Sequence, residues 1–312
     1  MEYAVKTENL TKKFGEFTAV DDINLKVERG EIFGFLGPNG AGKTTTMRML
    51  CTLTRPTSGT ATIAGFDLMK EPNKVRGKIG LVSDKMIMYD RMTGWENIVF
   101  FARLHHLPED VIKERTEKLL RALGMWEWRD KQIQNYSTGM RQRINVARAL
   151  VNEPEILFLD EPLLGLDPQT SRVIRGFIKD LCKKGITIIF TTHVMEEVDK
   201  LCHRVGIIDH GKLIDVNTPD GLRRKIQKEE IYDIWFKESI SSAIFSPIES
   251  ISKIKEMNGF MRIHGNSSVL DDIIHLCAKK NYHIQKVKPV EPTIEEVFIT
   301  LTGKEIRDKI KR

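Results

Sequence analysis

The sequence predicts an α/β fold in its first two-thirds, because short apolar strands alternate there with amphipathic helices. Residues 156–160 and 186–191 are apolar almost throughout, which is typical of parallel strands covered on both faces. A glycine-rich turn at residues 37–42 follows the strand at 31–36 and leads into a helix at 44–50. Together these observations predict a parallel sheet with helices packed on both sides.

The later elements continue this alternation. In chain order, the pattern predicts a strand at 78–82, helices at 95–104 and 111–123, and strands at 156–160, 186–191 and 204–209. The pattern changes near residue 220, after which we predict strands at 231–236, 260–264 and 283–287 with helices at 269–279 and 293–301. The predicted domains are therefore a larger α/β domain, residues 1–220, and a small C-terminal α+β domain, residues 221–312.

Composition excludes several classes of protein but assigns no function. The 49 Lys and Arg residues exceed the 43 Asp and Glu residues by only 6, which is compatible with an anionic ligand or a membrane surface and requires neither. The longest apolar runs are far shorter than the roughly 20 residues that span a bilayer. The four cysteines are scattered, which favours reduced thiols over a disulfide framework or a zinc site. We expect an intracellular protein without a membrane span.

The glycine-rich turn carries the first chemical motif, which matches the pattern G-x-x-x-x-G-K-[ST]. Its glycines allow several backbone amides to point at one phosphate, and the following helix adds its free N–H groups. Lys43 would reach the β- and γ-phosphates, and the Thr44 hydroxyl would bind Mg²⁺. A turn that binds nothing is the alternative. The predicted phosphate-binding residues are Gly37, Pro38, Asn39, Gly40, Ala41, Gly42, Lys43, Thr44 and Thr45.

Two carboxylates at the end of the strand at 156–160 complement this loop. Asp160 would bind Mg²⁺, and Glu161 would polarise the attacking water. An Asp-Glu pair at a strand end is common, so the pair predicts a nucleotide site only in combination with the phosphate loop. The pair and the loop together predict nucleotide hydrolysis.

A second predicted anion site precedes another helix. Ser137 lies at the N-cap position, because Met140, Ile144 and Ala147 then recur at helical spacing. The Ser137 hydroxyl and the free amides of Thr138 and Gly139 would bind a phosphate.

This segment resembles the signature motif of ATP-binding cassette (ABC) ATPases, and over about residues 3–220 the order of motifs matches that family. The resemblance implies the P-loop NTPase fold of the ABC type, with a helical subdomain at about 86–150 that docks a membrane partner. It implies that the signature of one subunit closes over ATP held by a second. It also implies that Phe14 stacks on adenine, that Asp167 lies in the loop between subunits, and that His193 senses the γ-phosphate.

The chain departs from the family pattern at two positions. Thr138 stands where the signature usually has its first glycine, and the anion site requires that Thr138 has a negative φ. Asp84 stands where most members have a glutamine that contacts Mg²⁺ and the water. A carboxylate can bind the metal but cannot donate a hydrogen bond as an amide does. We therefore expect Asp84 to keep the metal role with altered Mg²⁺ or pH dependence.

The ending at residues 291–303 resembles that of ATPases which serve exporters of the daunorubicin-resistance type. We predict an ATP-hydrolysing exporter subunit that uses ATP and Mg²⁺ at the cytoplasmic face of the membrane. Its partners would be a transmembrane permease on a separate chain and a second ATPase subunit, with no nucleic acid. The alternatives are an importer subunit, a cassette ATPase acting on ribosomes or DNA, and a binding module without ATPase activity.

Overall fold

The computed structural model describes residues 3–83 and 88–303 of the chain, which divides into two compact units. Among the described residues, the first unit comprises the chain up to Pro219 together with Thr302 and Gly303, and the second comprises Asp220–Leu301. That these units act as the two domains expected from the sequence stays a prediction. Across the described residues, every helix is too short or too polar to traverse a bilayer.

The first unit contains eleven strands and seven α-helices among its described residues. The strands are β1 (Tyr3–Phe14), β2 (Phe17–Ile23), β3 (Lys26–Glu28), β4 (Ile32–Leu36), β5 (Ser58–Ile63), β6 (Phe66–Asp67), β7 (Ile79–Val82), β8 (Ile156–Asp160), β9 (Thr187–Thr192), β10 (Arg204–Asp209) and β11 (Lys212–Asn217). The helices are α1 (Lys43–Leu50), α2 (Pro72–Lys78), α3 (Gly94–Leu104), α4 (Glu109–Ala122), α5 (Thr138–Leu150), α6 (Pro168–Lys183) and α7 (Met195–Leu201).

A six-stranded sheet in the order β11-β10-β4-β9-β8-β7 forms the centre of this unit. All neighbouring pairs are parallel except β10 and β11, which confirms the predicted α/β class. Every residue of β4, β8 and β9 is buried, as expected for strands covered on both faces. Because these strands are parallel, their carboxyl ends meet at one edge of the sheet. The phosphate loop follows β4 at this edge, Asp160 is the last residue of β8, and His193 follows β9.

A second, antiparallel sheet was not predicted. Its order is β2-β1-β5-β6, and β3 pairs with another part of β1. The twelve residues of β1 mix buried and exposed positions without strict alternation. One partner, β2, follows directly in a hairpin, whereas the other, β5, lies about 50 residues further along the chain. The irregular burial pattern of β1 and its long-range pairing with β5 leave little local signal for this sheet.

The helices α3, α4 and α5 belong to the segment predicted as a helical subdomain. Their buried side chains form part of one core cluster that also includes Val82 and Leu159 of the central sheet. Thr93 and Glu96 form a reciprocal capping box that begins α3. That this segment is a separate subdomain stays a prediction.

The second unit contains a four-stranded antiparallel sheet in the order β13-β14-β12-β15. Helix α9 and the segment at 242–245 pack on one side of it, around a core that includes Ile234, Phe245, Ile263 and Ile273. Thr293 and Glu296 form the predicted capping box before the last helix. The elements from this part of the chain are α8 (Pro219–Ile226), β12 (Glu230–Phe236), β13 (Ile251–Met257), β14 (Phe260–Gly265), α9 (Val269–Lys279), β15 (Ile284–Pro289) and α10 (Ile294–Thr302).

Candidate active site

The loop between β4 and α1 has a backbone that only its glycines permit. Gly40 and Gly42 have φ angles of +81° and +105°, in the left-handed region that disfavours side chains. A Cβ atom on Gly37 would lie 2.2 Å from the Ile208 carbonyl oxygen, and one on Gly42 would lie 2.6 Å from that of Ala19. The loop therefore curls closely against neighbouring backbone and presents its amides at the start of α1.

Lys43 lies at the inner rim of this loop, and its side chain is only 5% exposed. Its ammonium group donates hydrogen bonds to the carbonyl oxygens of Gly37 (2.6 Å) and Pro38 (3.1 Å). It also lies 3.5 Å from Oε1 of Glu161. A buried cation is thus held where the loop amides, helix α1 and a carboxylate converge.

Asp160 ends β8 beside the loop, and two hydroxyl groups hold its carboxylate. Oδ1 of Asp160 accepts hydrogen bonds from the hydroxyls of Thr44 (3.1 Å) and Thr191 (2.6 Å). The Thr191 oxygen in turn accepts a hydrogen bond from the Glu161 amide at 3.0 Å. Sequence reasoning assigned Thr191 no role, although a polar residue near the end of the apolar strand β9 was a signal.

Glu161 makes the turn out of β8 with a φ of +48°, an uncommon conformation for a residue with a side chain. This turn directs its carboxylate towards His193, whose Nδ1 lies 3.0 and 3.1 Å from the two carboxylate oxygens. Both side chains are largely buried. Lys43, Glu161 and His193 therefore form one continuous polar chain, which joins three residues predicted separately from the sequence.

The predicted metal ligands were Thr44, Asp160 and Asp84. The first two lie in direct contact, and they offer a hydroxyl and a carboxylate oxygen, the hard donors that Mg²⁺ prefers. Asp84 lies outside the described residues. The donor atoms present therefore fit a magnesium ion.

The signature residues lie at the start of α5. The Ser137 hydroxyl accepts a hydrogen bond from the Met140 amide at 3.3 Å, which confirms the predicted N-cap. Thr138 is the first helical residue and does not have a positive φ, so the condition placed on it is met. Ser137 and Thr138 are exposed, whereas Gly139 is buried.

The burial of Gly139 has a specific cause in helix α6. A Cβ atom on Gly139 would lie 2.8 Å from the Thr170 hydroxyl oxygen. The Thr170 amide donates to the carboxylate of Asp167, the N-cap of α6, at 2.9 Å. Hydrogen bonds from Thr170 lower the pKa of the Asp167 carboxyl below its usual value. Thr170, which sequence reasoning missed, thus connects Gly139 with Asp167.

Phe14 lies at the end of β1, opposite Phe17 in the β1–β2 pairing. Its ring is 53% exposed, with the Lys12 ammonium 5.0 Å from the ring centroid. An aromatic ring this exposed is available for stacking on a planar ligand.

Known proteins resemble the chain over nearly its whole length. The family model for ABC transporters matches residues 20–164. The linearmycin resistance ATP-binding protein LnrL of Bacillus subtilis (strain 168) is 33% identical over 311 residues, covering 97% of this chain and 100% of that protein. The daunorubicin resistance ATP-binding protein DrrA2 of Streptomyces coeruleorubidus is 33% identical over 307 residues, covering 96% and 95%.

The fold has solved counterparts as well. The ATP-binding cassette MJ0796, described as a dimer in a post-hydrolysis state bound to ADP and Pi, superposes with a TM-score of 0.63. It is 27% identical in sequence, and the match covers 69% of this chain and 98% of that one.

Proposed function

The chain belongs to the ABC transporter family, and on that premise we propose that it is the ATP-binding and ATP-hydrolysing subunit of an exporter. LnrL and DrrA2 are both named for resistance to antibiotics or drugs, which supports export over import. The observation that carries the proposal is the polar chain of Lys43, Glu161 and His193 beside the phosphate loop.

Each member of the site has a proposed part in hydrolysis. The Lys43 ammonium exchanges the carbonyl oxygens of Gly37 and Pro38 for oxygens of the β- and γ-phosphates. Glu161 orients a water molecule and accepts its proton as the water oxygen attacks the γ-phosphorus and the bond to ADP breaks. His193 fixes the Glu161 carboxylate and lies near the phosphate that leaves. Phe14 stacks on the adenine ring.

We propose that Mg²⁺ is held by Thr44, Asp160 and Asp84. When bound, the ion neutralises phosphate charge that the loop amides and Lys43 alone would balance incompletely. Thr191 holds Asp160 in place, so the carboxylate is oriented before the nucleotide arrives. Replacing Asp84 with glutamine should change the Mg²⁺ or pH dependence of hydrolysis. An unchanged rate, metal dependence and pH profile would remove Asp84 from the ligand set.

Two copies of the chain form the complete site in this proposal. Ser137 and Thr138 present the N-terminus of α5 to the surface, and Gly139 and Asp167 support it. Such an N-terminus favours an anion, and in this proposal the anion is a phosphate of the ATP that a second copy holds. The dimer described for MJ0796 supports this arrangement.

The proposal places the chain at the cytoplasmic face of a membrane, beside a permease on a separate polypeptide. The segment of helices α3 to α5 would contact that partner. Tyr89 and Leu104 are 47% and 60% exposed, and Trp128 is also exposed, which is suited to an apolar contact. Co-purification of the chain with a membrane protein would support this reading over an ATPase that acts on ribosomes or DNA.

Glu161→Gln tests the site directly. The purified chain should hydrolyse ATP, and the variant should hydrolyse it at least about 100-fold more slowly, because the general base is lost. It should still bind ATP and form a dimer that gel filtration detects, since the phosphate loop is intact.

Glu117→Gln on α4 is the matched control and should behave as the wild type, because Glu117 forms an exposed ion pair with Arg121, far from any residue assigned to the site. Wild-type hydrolysis rates in the Glu161→Gln variant would refute the assignment. An inactive wild-type chain that binds ATP would instead favour the binding-module alternative.

A further inference from the structure

The sheet of the second unit has two chemically different faces. Along β12, Tyr232, Ile234 and Phe236 pack towards α9 and the core of the unit. Ile231, Asp233 and Trp235 alternate with them and therefore lie on the opposite face. Helix α9 leaves this opposite face uncovered, and the nucleotide site makes no use of it.

The strand register shows which residues share the opposite face. Residues paired directly across antiparallel strands lie on the same face of a sheet. Two rows of paired residues cross it: Lys253 with His264 and Ile231, and Lys255 with Arg262, Asp233 and Lys288. In a third row, Met257 pairs with Phe260 and Trp235 pairs with Lys286, and the rings of Phe260 and Trp235 are in contact.

This face is strongly basic. It carries Lys253 and Lys255 on the outer strand β13, and Lys286 and Lys288 on the outer strand β15, all of them exposed. Neighbouring strands are about 4.8 Å apart, so the two lysine pairs stand about 14 Å apart across the sheet. Arg262 lies between them on β14. We call these five residues the basic sheet face.

The acidic residue within these rows, Asp233, is already engaged. Arg262 binds the Asp233 carboxylate through two hydrogen bonds, of 2.7 and 2.9 Å, and Asp233 is buried. Glu229 lies at the end of the face, 3.6 Å from Nδ1 of His264. Among the described residues, none forms an ion pair with any of the four lysines. The excess positive charge is therefore directed at solvent, where it attracts an anionic partner.

An apolar row accompanies the charges. The rings of Trp235 and Phe260 pack against each other, with centroids 4.8 Å apart and planes inclined by 31°. The Lys286 ammonium lies 4.9 Å from the centroid of the Trp235 ring. Met257, at the end of this row, is 46% exposed.

These contacts discriminate between anionic partners. Single-stranded nucleic acid binds such surfaces by stacking its bases on open aromatic faces. Here Phe260 and Lys286 occupy the Trp235 ring, so a base would have to displace them. A bilayer interface requires no open ring, because it accepts tryptophan beside lysine and offers negative headgroups to the cations.

We propose that the basic sheet face docks the second unit onto a bilayer rich in anionic phospholipids. The lysine pairs on β13 and β15 contact headgroup phosphates, and Trp235, Phe260 and Met257 contact the interfacial region. This inference requires nothing from the nucleotide site, because every residue that carries it lies in the second unit. It adds a direct lipid contact to the contact with a permease.

The test measures partition of the full chain onto vesicles, with neither permease nor nucleotide present. The vesicles are phosphatidylcholine alone, or phosphatidylcholine with about 30 mol% phosphatidylglycerol. The wild type should bind only the anionic vesicles, and added salt should release it. Because each lysine near such a surface contributes about a fivefold factor, Lys253→Gln, Lys255→Gln, Lys286→Gln and Lys288→Gln together should weaken partition at least about 100-fold.

A matched control removes the same charge elsewhere. The exposed residues Lys70, Lys179, Lys279 and Lys280 lie outside the face, and their replacement by glutamine should weaken partition far less. The pair Lys253→Gln and Lys255→Gln alone, on an outer strand, should weaken it about 25-fold. Thermal unfolding and ATP hydrolysis should stay at wild-type values in both sets.

Three results would overturn the proposal. The first is no binding of the wild type to anionic vesicles, and the second is equal loss in the two lysine sets. The third is tight binding of a single-stranded oligonucleotide that the face variant abolishes while vesicle binding is unaffected. That result would assign the face to nucleic acid.

Discussion

The chain contains two helix N-termini that the sequence marks as phosphate sites, and the structure shows that they differ. At α1, a buried lysine and two carboxylates surround the glycine-rich loop, and every charged group already has a partner. At α5, Ser137 and Thr138 are exposed and offer only a hydroxyl and backbone amides. The two sites share the same backbone principle but not the same electrostatics.

This difference indicates that the α1 and α5 sites have different parts in nucleotide binding. In the proposed mechanism the site at α1 binds a triphosphate by itself, because buried charges fix its geometry before a ligand arrives. The site at α5 has no buried charge among its described residues, so it contributes donors and little binding energy of its own. A surface of that kind fits the proposal that it closes over phosphates held by another copy. Substitutions at the two sites should therefore have separable effects.

The largest effect is expected from Lys43→Met, which keeps the length of the side chain and removes its charge. Loss of one partner from a buried charged pair costs about 2–5 kcal/mol, so ATP affinity should fall at least about 30-fold. Titration calorimetry with ATP measures it, and Lys70→Met on the exposed surface is the control. Unchanged affinity would mean that Lys43 only braces the loop through Gly37 and Pro38.

Gly139→Ala should have the next largest effect, a loss of unfolding free energy. The substitution changes the α5 site without removing a charged group. The added Cβ would lie 2.8 Å from the Thr170 oxygen, and overpacking of this kind costs about 1–3 kcal/mol in unfolding free energy. Denaturant unfolding measures the loss. ATP binding to the isolated chain should stay near the wild-type value, because α1 is unaffected.

A second substitution tests the cause. Thr170→Ala removes the two atoms nearest to the added Cβ, so Gly139→Ala should cost measurably less in that background. If the losses in unfolding free energy of the two single variants simply add in the double variant, contact with Thr170 is not the reason that position 139 requires glycine.

The elements that could be predicted from the sequence are those whose signal lies in a few adjacent residues. The loop at 37–42, the buried strands β4, β8 and β9, and the cap at Ser137 are each encoded by a few adjacent residues, and all were predicted. Sheet β2-β1-β5-β6 was missed, because β1 lacks a clean alternation of buried and exposed residues and its pairing with β5 is long-range. Strand β13 was missed for a related reason, since Lys253 and Lys255 make an outer strand look like a loop.

The site shows the same limit. Sequence motifs located Lys43, Asp160, Glu161 and His193, but not the residues that hold them. Thr191 bridges Asp160 and the Glu161 amide only because β9 pairs with β8 in register. Thr170 contacts Gly139 only because α6 folds back against α5. Such positioning residues depend on tertiary contacts and carry no motif of their own.

Thr191→Val should have a moderate effect on stability and on hydrolysis, because Thr191 positions residues of the α1 site. The substitution keeps the shape of the side chain but leaves the Glu161 amide without its acceptor, which costs about 1–2 kcal/mol in unfolding free energy. The hydrolysis rate should fall more than ATP affinity, because Asp160 and Glu161 lose their orientation while Lys43 remains. Thr187→Val at the start of β9, far from the carboxyl edge, controls for loss of a buried hydroxyl. Equal hydrolysis rates in the two variants would show that the Thr191 bridge is structural only.

Ser137→Ala should have the smallest effect on stability and is the sharpest probe of the comparison. Its hydroxyl is exposed and its hydrogen bond to the Met140 amide is long, so unfolding free energy should fall by only about 0.5 kcal/mol. ATP affinity of the monomer should not change, because α1 holds the nucleotide. Hydrolysis should nevertheless fall about fivefold if the hydroxyl donates to a phosphate across a dimer, a loss of about 1 kcal/mol.

Mixing Ser137→Ala with Glu161→Gln shows whether Ser137 acts on the nucleotide that the other chain holds. In the mixed dimer, one nucleotide lies between Glu161 of the first chain and Ser137 of the second, so activity recovers at that site alone. If mixing restores nothing, the two N-termini do not share a nucleotide, and the helix α5 site must bind its anion within its own chain.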